Sequence, residues 1–182
     1  TVLGDDLYCH QPFCQHVLQA KMAFNFTCKP DSHPTLYEWV ADLSRNGRVA
    51  NISRTRWTGK KRLTDTYRYV NQVPLRDTDD ALMVNWYELT TTDEQGKVLY
   101  HNAWATSHLI SEHNVELIVK AGRARWKIEN EGNNTLKTKG YHFEHNFGHG
   151  KQNLANLLAT MILLAYLLHT TLDWIDQRYH RV

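Results

Sequence analysis

Apolar and polar positions alternate through the middle of the chain, in a way that is typical of β-strands. Two strands are expected within residues 48–73, on either side of a Thr-Gly-Lys-Lys turn at 58–61. Two more are expected over Leu82–Thr91 and Lys97–Thr106, which a short polar loop joins. The pattern therefore predicts a β-rich block of about 60 residues between two parts of different character.

The flanking parts carry the signals of helices and short strands. Helical spacing of apolar positions predicts helices at Pro12–Met22, Pro34–Leu43 and Asn114–Lys139. Pro34 falls in the first turn of the second helix, where proline is favoured, with Ser32 or His33 near the cap. Short apolar runs at Val2–Leu3 and Ala23–Cys28 are predicted as strands, so an α/β protein is expected.

A long apolar segment lies near the C-terminus. Its continuous run, Leu154–Leu168, is shorter than the roughly 20 residues that span a bilayer, and it is too far from the N-terminus for a signal peptide. A helix over Asn153–Thr171 is predicted, buried in the core, with an amphipathic tail over Leu172–Val182.

Composition excludes several classes of protein. With 182 residues, one domain is expected. Hydrophobic residues make 42% of the chain, enough to bury a core, so the chain is not disordered. Three cysteines do not make a disulfide scaffold and favour a reduced, cytosolic setting. The chain opens on the strand-like Thr1-Val2-Leu3, which suggests a piece of a longer protein.

Positive charge is concentrated in the β-rich block. Nine Arg and Lys but one acid lie between Arg45 and Arg76, a local charge of about +8, while the whole chain has a net charge of +2. Trp57, Tyr67 and Tyr69 are interleaved with these cations. Cations neutralise phosphates and aromatic rings stack on bases, so contact with nucleic acid is predicted. The alternative is a solvated strand face with extended Arg and Lys side chains.

Two pairs of carboxylates could carry chemistry. Asp5 and Asp6 end the first strand, while Glu129 and Glu131 lie in the long helix beside Arg and Lys residues. Converging carboxylates bind Mg²⁺, which activates water for phosphodiester chemistry. The alternative is structural, because Asp often caps loops and Glu often pairs with Arg along a helix.

Histidine and cysteine offer a second candidate chemistry. His142, His145 and His149 have spacings that could hold zinc, although no Cys lies nearby in sequence. Contact of this loop with phosphate or backbone is the alternative. Cys9 and Cys14 are too far apart for a Cys-x-x-Cys redox motif and are interpreted as packing residues.

Three stretches carry a resemblance to a known family. Arg123-Ala-Arg-Trp-Lys-Ile-Glu-Asn-Glu-Gly followed by Leu136-Lys137 resembles the Tyr-x2-Arg-x3-Glu-x6-Lys signature of bacterial insertion-sequence DDE transposases of the cut-and-paste type. Gly4-Asp-Asp-Leu-Tyr8 is similar to the family's Asp-x-x-Tyr motif, in which Asp5 is the better match. The segment from Gly140 to Lys151 also resembles the stretch immediately after the glutamate helix in one branch of this family.

The resemblance implies a partial ribonuclease-H-like α/β fold with a β-rich insertion. Residues 1–44 would carry the second catalytic Asp, 45–110 the basic insertion, and 111–182 the helices with the catalytic Glu. Asp5 and Glu129 would be catalytic and would bind Mg²⁺ or Mn²⁺, with the choice between Asp5 and Asp6, and between Glu129 and Glu131, left open. The residues expected to hold DNA are Arg54, Arg56, Lys60, Lys61, Arg62, Arg125 and Lys137.

The resemblance also implies partners and a location. The implied partners are transposon ends and target DNA, with a homodimer in the intact enzyme and no membrane. The implied location is the bacterial cytoplasm, in association with the nucleoid. Two positions depart from the signature: its Tyr falls at Gly122, and its Lys comes one residue late, at Lys137. The family's first Asp would precede Thr1, so this chain alone is expected to be inactive. The alternative is a remnant that only binds DNA.

Overall fold

The computed structural model describes residues 1–145, 148 and 150–179, without the side chains of Ile128 and Glu129. The described part is an α/β protein with a six-stranded mixed sheet. It forms two compact units, Thr1–Arg125 and Trp126–Val182. The α/β class predicted from the sequence is therefore confirmed at this level.

The first unit contains every strand of the described sheet. The strands are β1 (Val2–Gly4), β2 (Phe24–Thr27), β3 (Ala50–Trp57), β4 (Arg62–Pro74), β5 (Met83–Thr92) and β6 (Val98–Thr106). The helices are a 3-10 helix (Asp6–Tyr8), α1 (Gln11–Gln19), α2 (Pro34–Arg45) and α3 (Val115–Lys127), whose last two residues belong to the second unit. These elements confirm the predicted strands and the helix that begins at Pro34.

The sheet combines a parallel pair with an antiparallel block. Its strand order is β1-β2-β6-β5-β4-β3. β1 and β2 are parallel, as their connection through α1 requires, whereas β2 pairs with β6 in the antiparallel sense. β6, β5, β4 and β3 follow as antiparallel neighbours, so the β-rich block extends the sheet that the N-terminal segment begins.

Alternating side chains divide the core between the two faces of the sheet. On β5, Val84 and Trp86 lie in one cluster with residues of α1 and α2, and Tyr87 and Leu89 lie in another with residues of α3. This period of two is what strands dictate. The first unit therefore has three layers, with α1 and α2 on one face of the sheet and α3 on the other.

A β-bulge interrupts the alternation in β4. The pairing with β5 shifts by one residue between Val70 and Val73, and Gln72 has a φ of +60°. Its backbone N–H donates to Oδ1 of Asn85 at 3.1 Å instead of to a ladder carbonyl. Because of the extra residue, Val70 and Val73 both face the cluster of α1 and α2.

The second unit is helical. A π-helical segment (Ile128–Asn133) precedes α4 (Asn134–Thr138), and α5 spans Leu154–Ile175. The helix predicted over Asn114–Lys139 thus changes to π-helix at Ile128, and Gly140, just after it, has a left-handed conformation with a φ of +90°.

The prediction that the apolar C-terminal helix is buried is wrong. None of the residues of α5 is buried. The described segment 139–142 covers one side, with the Tyr141 hydroxyl 2.6 Å from Nδ1 of His169. The elements in the described part of the unit are therefore too few to cover α5. The helix has 22 residues and, by length and composition alone, could cross a membrane, a test that core helices of soluble proteins also pass.

Candidate functional site

The carboxyl ends of β1 and β2 form one edge of the sheet. Because the two strands are parallel, Asp5 and Asp6 follow β1 at the same edge at which Cys28 and Lys29 follow β2. Ligand-binding groups gather at this edge in open α/β sheets. Gly4 allows the Phe26 ring to pack closely against β1, since a Cβ atom would lie 2.9 Å from Cδ1 of that ring.

Asp5 caps the 3-10 helix that follows β1. Its Oδ1 accepts a hydrogen bond from the backbone N–H of Leu7 at 3.1 Å, which fixes the orientation of the carboxylate. The side chain remains half-exposed and lines a cleft of about 520 Å³. A hydrogen bond thus fixes the orientation of the Asp5 carboxylate, which faces the open cleft.

Asp6 lies beside it but has structural partners. Oδ1 accepts from the backbone N–H of Lys29 at 2.7 Å, and Oδ2 accepts from the Ser32 hydroxyl. Its side chain is only 16% exposed and lies 3.6 Å from Nε2 of His33. Asp6 therefore fastens the loop between β2 and α2 to the end of β1, and Asp5 is the carboxylate better placed to bind a ligand.

The cleft brings a predicted phosphate-binding residue next to the predicted metal ligand. Arg125, near the end of α3, lines it together with Asp5, Asp6 and Lys29. The remaining lining residues are Leu7, His10, Thr27, Ser32 and Asn102. Carboxylate oxygens bind hard divalent cations, and a guanidinium binds phosphate oxygens in pairs. The cleft is therefore lined by side chains of the kinds that bind a divalent cation and a phosphate.

A buried polar network fixes α3, and with it Arg125, against the sheet. The Tyr87 hydroxyl donates to Oδ1 of Asn25 at 2.7 Å, and Nδ2 of Asn25 donates to the carbonyl of Ile118 at 3.1 Å. Burial raises the pKa of Tyr87 far above its usual value, so its hydroxyl remains a donor. The network joins β2, β5 and α3 at a single point.

The same contact explains why a glycine is found at position 122. Gly122 faces Tyr87 and Trp104 across the contact between helix and sheet. A Cβ atom on Gly122 would lie 2.7 Å from the Tyr87 hydroxyl and 2.9 Å from Nε1 of Trp104. Two aromatic side chains from the sheet already fill the space, so no side chain fits on the helix.

The other predicted site residues on this part of the chain lie in the second unit. The backbone of Glu129 belongs to the π-helical segment, and its side chain lies outside the described part. Glu131 is in the same segment and is exposed. Lys137 pairs with Glu144 at 2.6 Å. π-Helical segments are rare in proteins, and those that occur are often found at functional sites. The two glutamates are therefore candidate functional residues.

The predicted DNA-binding residues of the basic block fall into two groups. Arg54 pairs with Glu112 and Glu116 at 3.4 and 3.3 Å, and Arg56 pairs with Asp65 at 2.6 Å. Much of the positive charge derived from the sequence is therefore balanced by carboxylates of the same chain. Sequence reasoning missed this because the partners of Arg54 come from a distant segment.

The second group lies at the tip of the β3–β4 hairpin. Within the described part of the chain, the side chains of Lys60, Lys61 and Arg62 have no ion-pair partner, and all three are exposed. Gly59 makes the turn with a φ of +84°, and the neighbouring Trp57 is 66% exposed. Three cations beside an exposed indole make the hairpin tip the strongest candidate surface for nucleic acid.

A buried cluster of Cys9, Cys28 and His33 was not found from the sequence. The two Sγ atoms and a ring nitrogen of His33 lie within 4.8 Å of one another. A hydrogen bond with Cys28, together with burial, raises the pKa of the Cys9 thiol well above its usual range. Their separation along the chain hides the cluster, and only the β1–α1–β2 fold brings the three residues together. Cys14, predicted to be a packing residue, is buried but outside this group.

The histidine loop does not form such a group among the described residues. His142 and His145 are described, and His142 has a φ of +52°, whereas His149 lies outside the described residues. The zinc site suggested by the spacing of these three histidines therefore stays a prediction.

Comparison with known proteins adds no relative to this picture. No family model matches the sequence, and a search of curated proteins finds no match.

Proposed function

We propose that the chain is part of a DDE transposase, which cleaves and joins DNA strands at transposon ends. The observation that carries the proposal is the cleft in which Asp5, at the end of a parallel strand, lies with Arg125 of α3. The motif around Asp5 and the motif around Arg125 were each identified by resemblance, and they are 120 residues apart. Two distant motifs that meet in one cleft support a common site.

A ribonuclease-H-like fold is part of this proposal. β1, α1 and β2 give a parallel pair with the candidate Asp at its carboxyl end, and an antiparallel block then extends the sheet. A helix that carries Arg125 follows on the opposite face. This order agrees with an Asp on a late strand of the core, an inserted β-rich segment, and a glutamate helix after it.

The chemistry of Asp5 fits Mg²⁺ or Mn²⁺. Its carboxylate offers hard oxygen ligands at an accessible edge, whereas both oxygens of Asp6 are engaged in hydrogen bonds. Bound there, the cation would polarise the phosphodiester and activate the attacking hydroxyl. Asp5 would hold the cation and the guanidinium of Arg125 would hold the phosphate, while the role of Glu129 as a further ligand stays a prediction from the resemblance.

Metal binding tests this role of Asp5 directly. Mn²⁺ binding to the chain is measured by the loss of the free-ion signal in electron paramagnetic resonance. We expect Asp5→Asn to weaken binding by about tenfold or more. Asp79→Asn, which changes an exposed loop carboxylate, should bind like the wild type. Equal binding by Asp5→Asn and the wild type would refute the assignment of Asp5.

DNA cleavage tests the activity itself. The resemblance requires a further Asp that precedes Thr1. We therefore expect no metal-dependent nicking by residues 1–182 alone, and nicking by a chain extended upstream through that Asp. In the extended chain, Asp5→Asn should abolish nicking. Robust nicking by residues 1–182 alone would contradict the requirement for three carboxylates.

The alternative function, DNA binding without catalysis, is favoured by the hairpin tip. Replacing Lys60, Lys61 and Arg62 by Gln should reduce the slope of log K against log salt by about 2.7, if each contacts one phosphate. Arg54→Gln is the control, because that cation is already paired with two carboxylates. Fluorescence anisotropy with a labelled duplex gives the slope. An unchanged slope in the triple variant would mean that the tip is merely a solvated surface.

A further inference from the structure

The cluster of Cys9, Cys28 and His33 lies directly behind the carboxylate edge of the sheet. Cys9 follows the 3-10 helix, Cys28 follows β2, and His33 is the residue immediately before α2. The two cysteines are at most 1% exposed and His33 is 5% exposed. Three separate segments of the chain thus each place one potential metal ligand, a thiol sulfur or an imidazole nitrogen, at the same buried point.

The arrangement has a feature that packing alone does not explain. Nε2 of His33 is buried and has no hydrogen-bond partner among the described residues. Buried polar atoms nearly always have a partner, and an exception requires an explanation, of which a bound ion is one. The Asp6 carboxylate, 3.6 Å from this atom, already accepts hydrogen bonds from Lys29 and Ser32.

We propose that Cys9, Cys28 and His33 bind a Zn²⁺ ion that fastens the loops beneath Asp5. Two thiolates and an imidazole are the ligands that zinc prefers, and they suit Mg²⁺ poorly. The donor atoms, within 4.8 Å of one another, are close enough to share one ion after small side-chain movements. Three protein ligands leave the fourth tetrahedral position to an exogenous ligand such as water.

The proposed ion has a structural role that its position dictates. It would connect the end of the 3-10 helix, the end of β2 and the start of α2, which is the same set of segments that Asp6 connects. The zinc ion would hold the backbone around Asp5 in place, and it is independent of the divalent cation proposed for the cleft.

Cobalt substitution and metal analysis test the proposal on the whole chain. Thiolate-bound Co²⁺ in a tetrahedral site gives intense charge-transfer and visible bands. We expect these bands, and about one zinc per chain after purification, in the wild type and in Cys14→Ser. Cys14 is the matched control, since it is a buried thiol outside the cluster. Cys28→Ser and His33→Asn should lose the zinc and the charge-transfer bands.

A second measurement does not depend on the folding of the variants. Removal of zinc from the wild-type chain by a chelator should lower its melting temperature, and added zinc should restore it. Asp5→Asn should keep the zinc, so that failure of the cleft proposal and failure of this one are distinguishable. Any of three results would overturn the zinc site: no cobalt–thiolate band in the wild type, full zinc content in Cys28→Ser, or a Cys9–Cys28 disulfide in the purified chain.

Discussion

Gly122→Ala is expected to destabilise the protein, although alanine is the better helix former. Gly122 lies in α3, where it packs against Tyr87 and Trp104, which are at most 1% exposed. The added Cβ atom would lie 2.7 Å from the Tyr87 hydroxyl and 3.0 Å from Cε2 of Trp104. Both rings are stacked on each other at 5.1 Å, so neither can move without disturbing the other.

Two opposing contributions set the magnitude. Helix propensity favours alanine over glycine by about 1 kcal/mol. Overpacking of a dense core costs about 1–3 kcal/mol, and displacement of the Tyr87 hydroxyl from Asn25 would leave a buried polar group unpaired, at about 1–3 kcal/mol. The destabilising contributions are the larger, so the free energy of unfolding should fall by about 1–5 kcal/mol.

Gly132→Ala provides a control with the opposite sign. A Cβ atom at Gly132 meets nothing within 4 Å, so the helix propensity acts alone and this change should be neutral or stabilising by up to about 1 kcal/mol. Urea unfolding followed by circular dichroism gives both free energies, with the m-value as a check on two-state behaviour. Equal free energies of unfolding for Gly122→Ala and Gly132→Ala would contradict the tight packing of α3 against the sheet.

Three further changes examine the ion pairs and polar contacts of the first unit. Glu88→Ala removes the partner that Arg68 contacts at 2.5 Å and should lower the free energy of unfolding by about 2–3 kcal/mol, because Glu88 is largely buried. Asp42→Ala, in an exposed pair, should change it by less than about 0.5 kcal/mol, and equal losses in the two variants would contradict the role of burial. Asn71→Ala removes two hydrogen bonds of 2.9 Å to the backbone of Ile110. Chemical denaturation should show a free energy of unfolding lower by about 1–3 kcal/mol, and a loss under about 0.5 kcal/mol would contradict the role of these bonds.

Local signals in the sequence were sufficient for most of the secondary structure. Alternation and turn residues predicted all four strands of the β-rich block, and Pro34 marked the first residue of α2. The two motifs around Asp5 and Arg125 were also identified in advance, and the structure places these residues in one cleft. Strands, helix starts and motifs depend on residues that are close together along the chain, so the local sequence pattern is sufficient to predict them.

Features that depend on distant neighbours were not predictable in the same way. The partners of Arg54 lie some 60 residues away, so its ion pairs are invisible in the local charge balance. The Cys9, Cys28 and His33 cluster exists only because two parallel strands end at the same edge. The exposure of α5 was also missed, because an apolar helix has the same pattern whether or not other elements cover it.

The bulge in β4 allows the strand to vary in length without changing which face its residues occupy. Val70 pairs with Trp86 and Val73 pairs with Val84, so β4 has three steps where β5 has two. Loss of Asn71 or Gln72 would restore a regular ladder and would leave Val73 and Leu75 on the face of α1 and α2, where both are buried. Loss of one residue within Thr64–Val70, which pairs with β5 without an irregularity, would instead move the side chains on one side of the deletion to the opposite face. Relatives of this chain should therefore differ in length at the bulge and keep the length of the paired run before it.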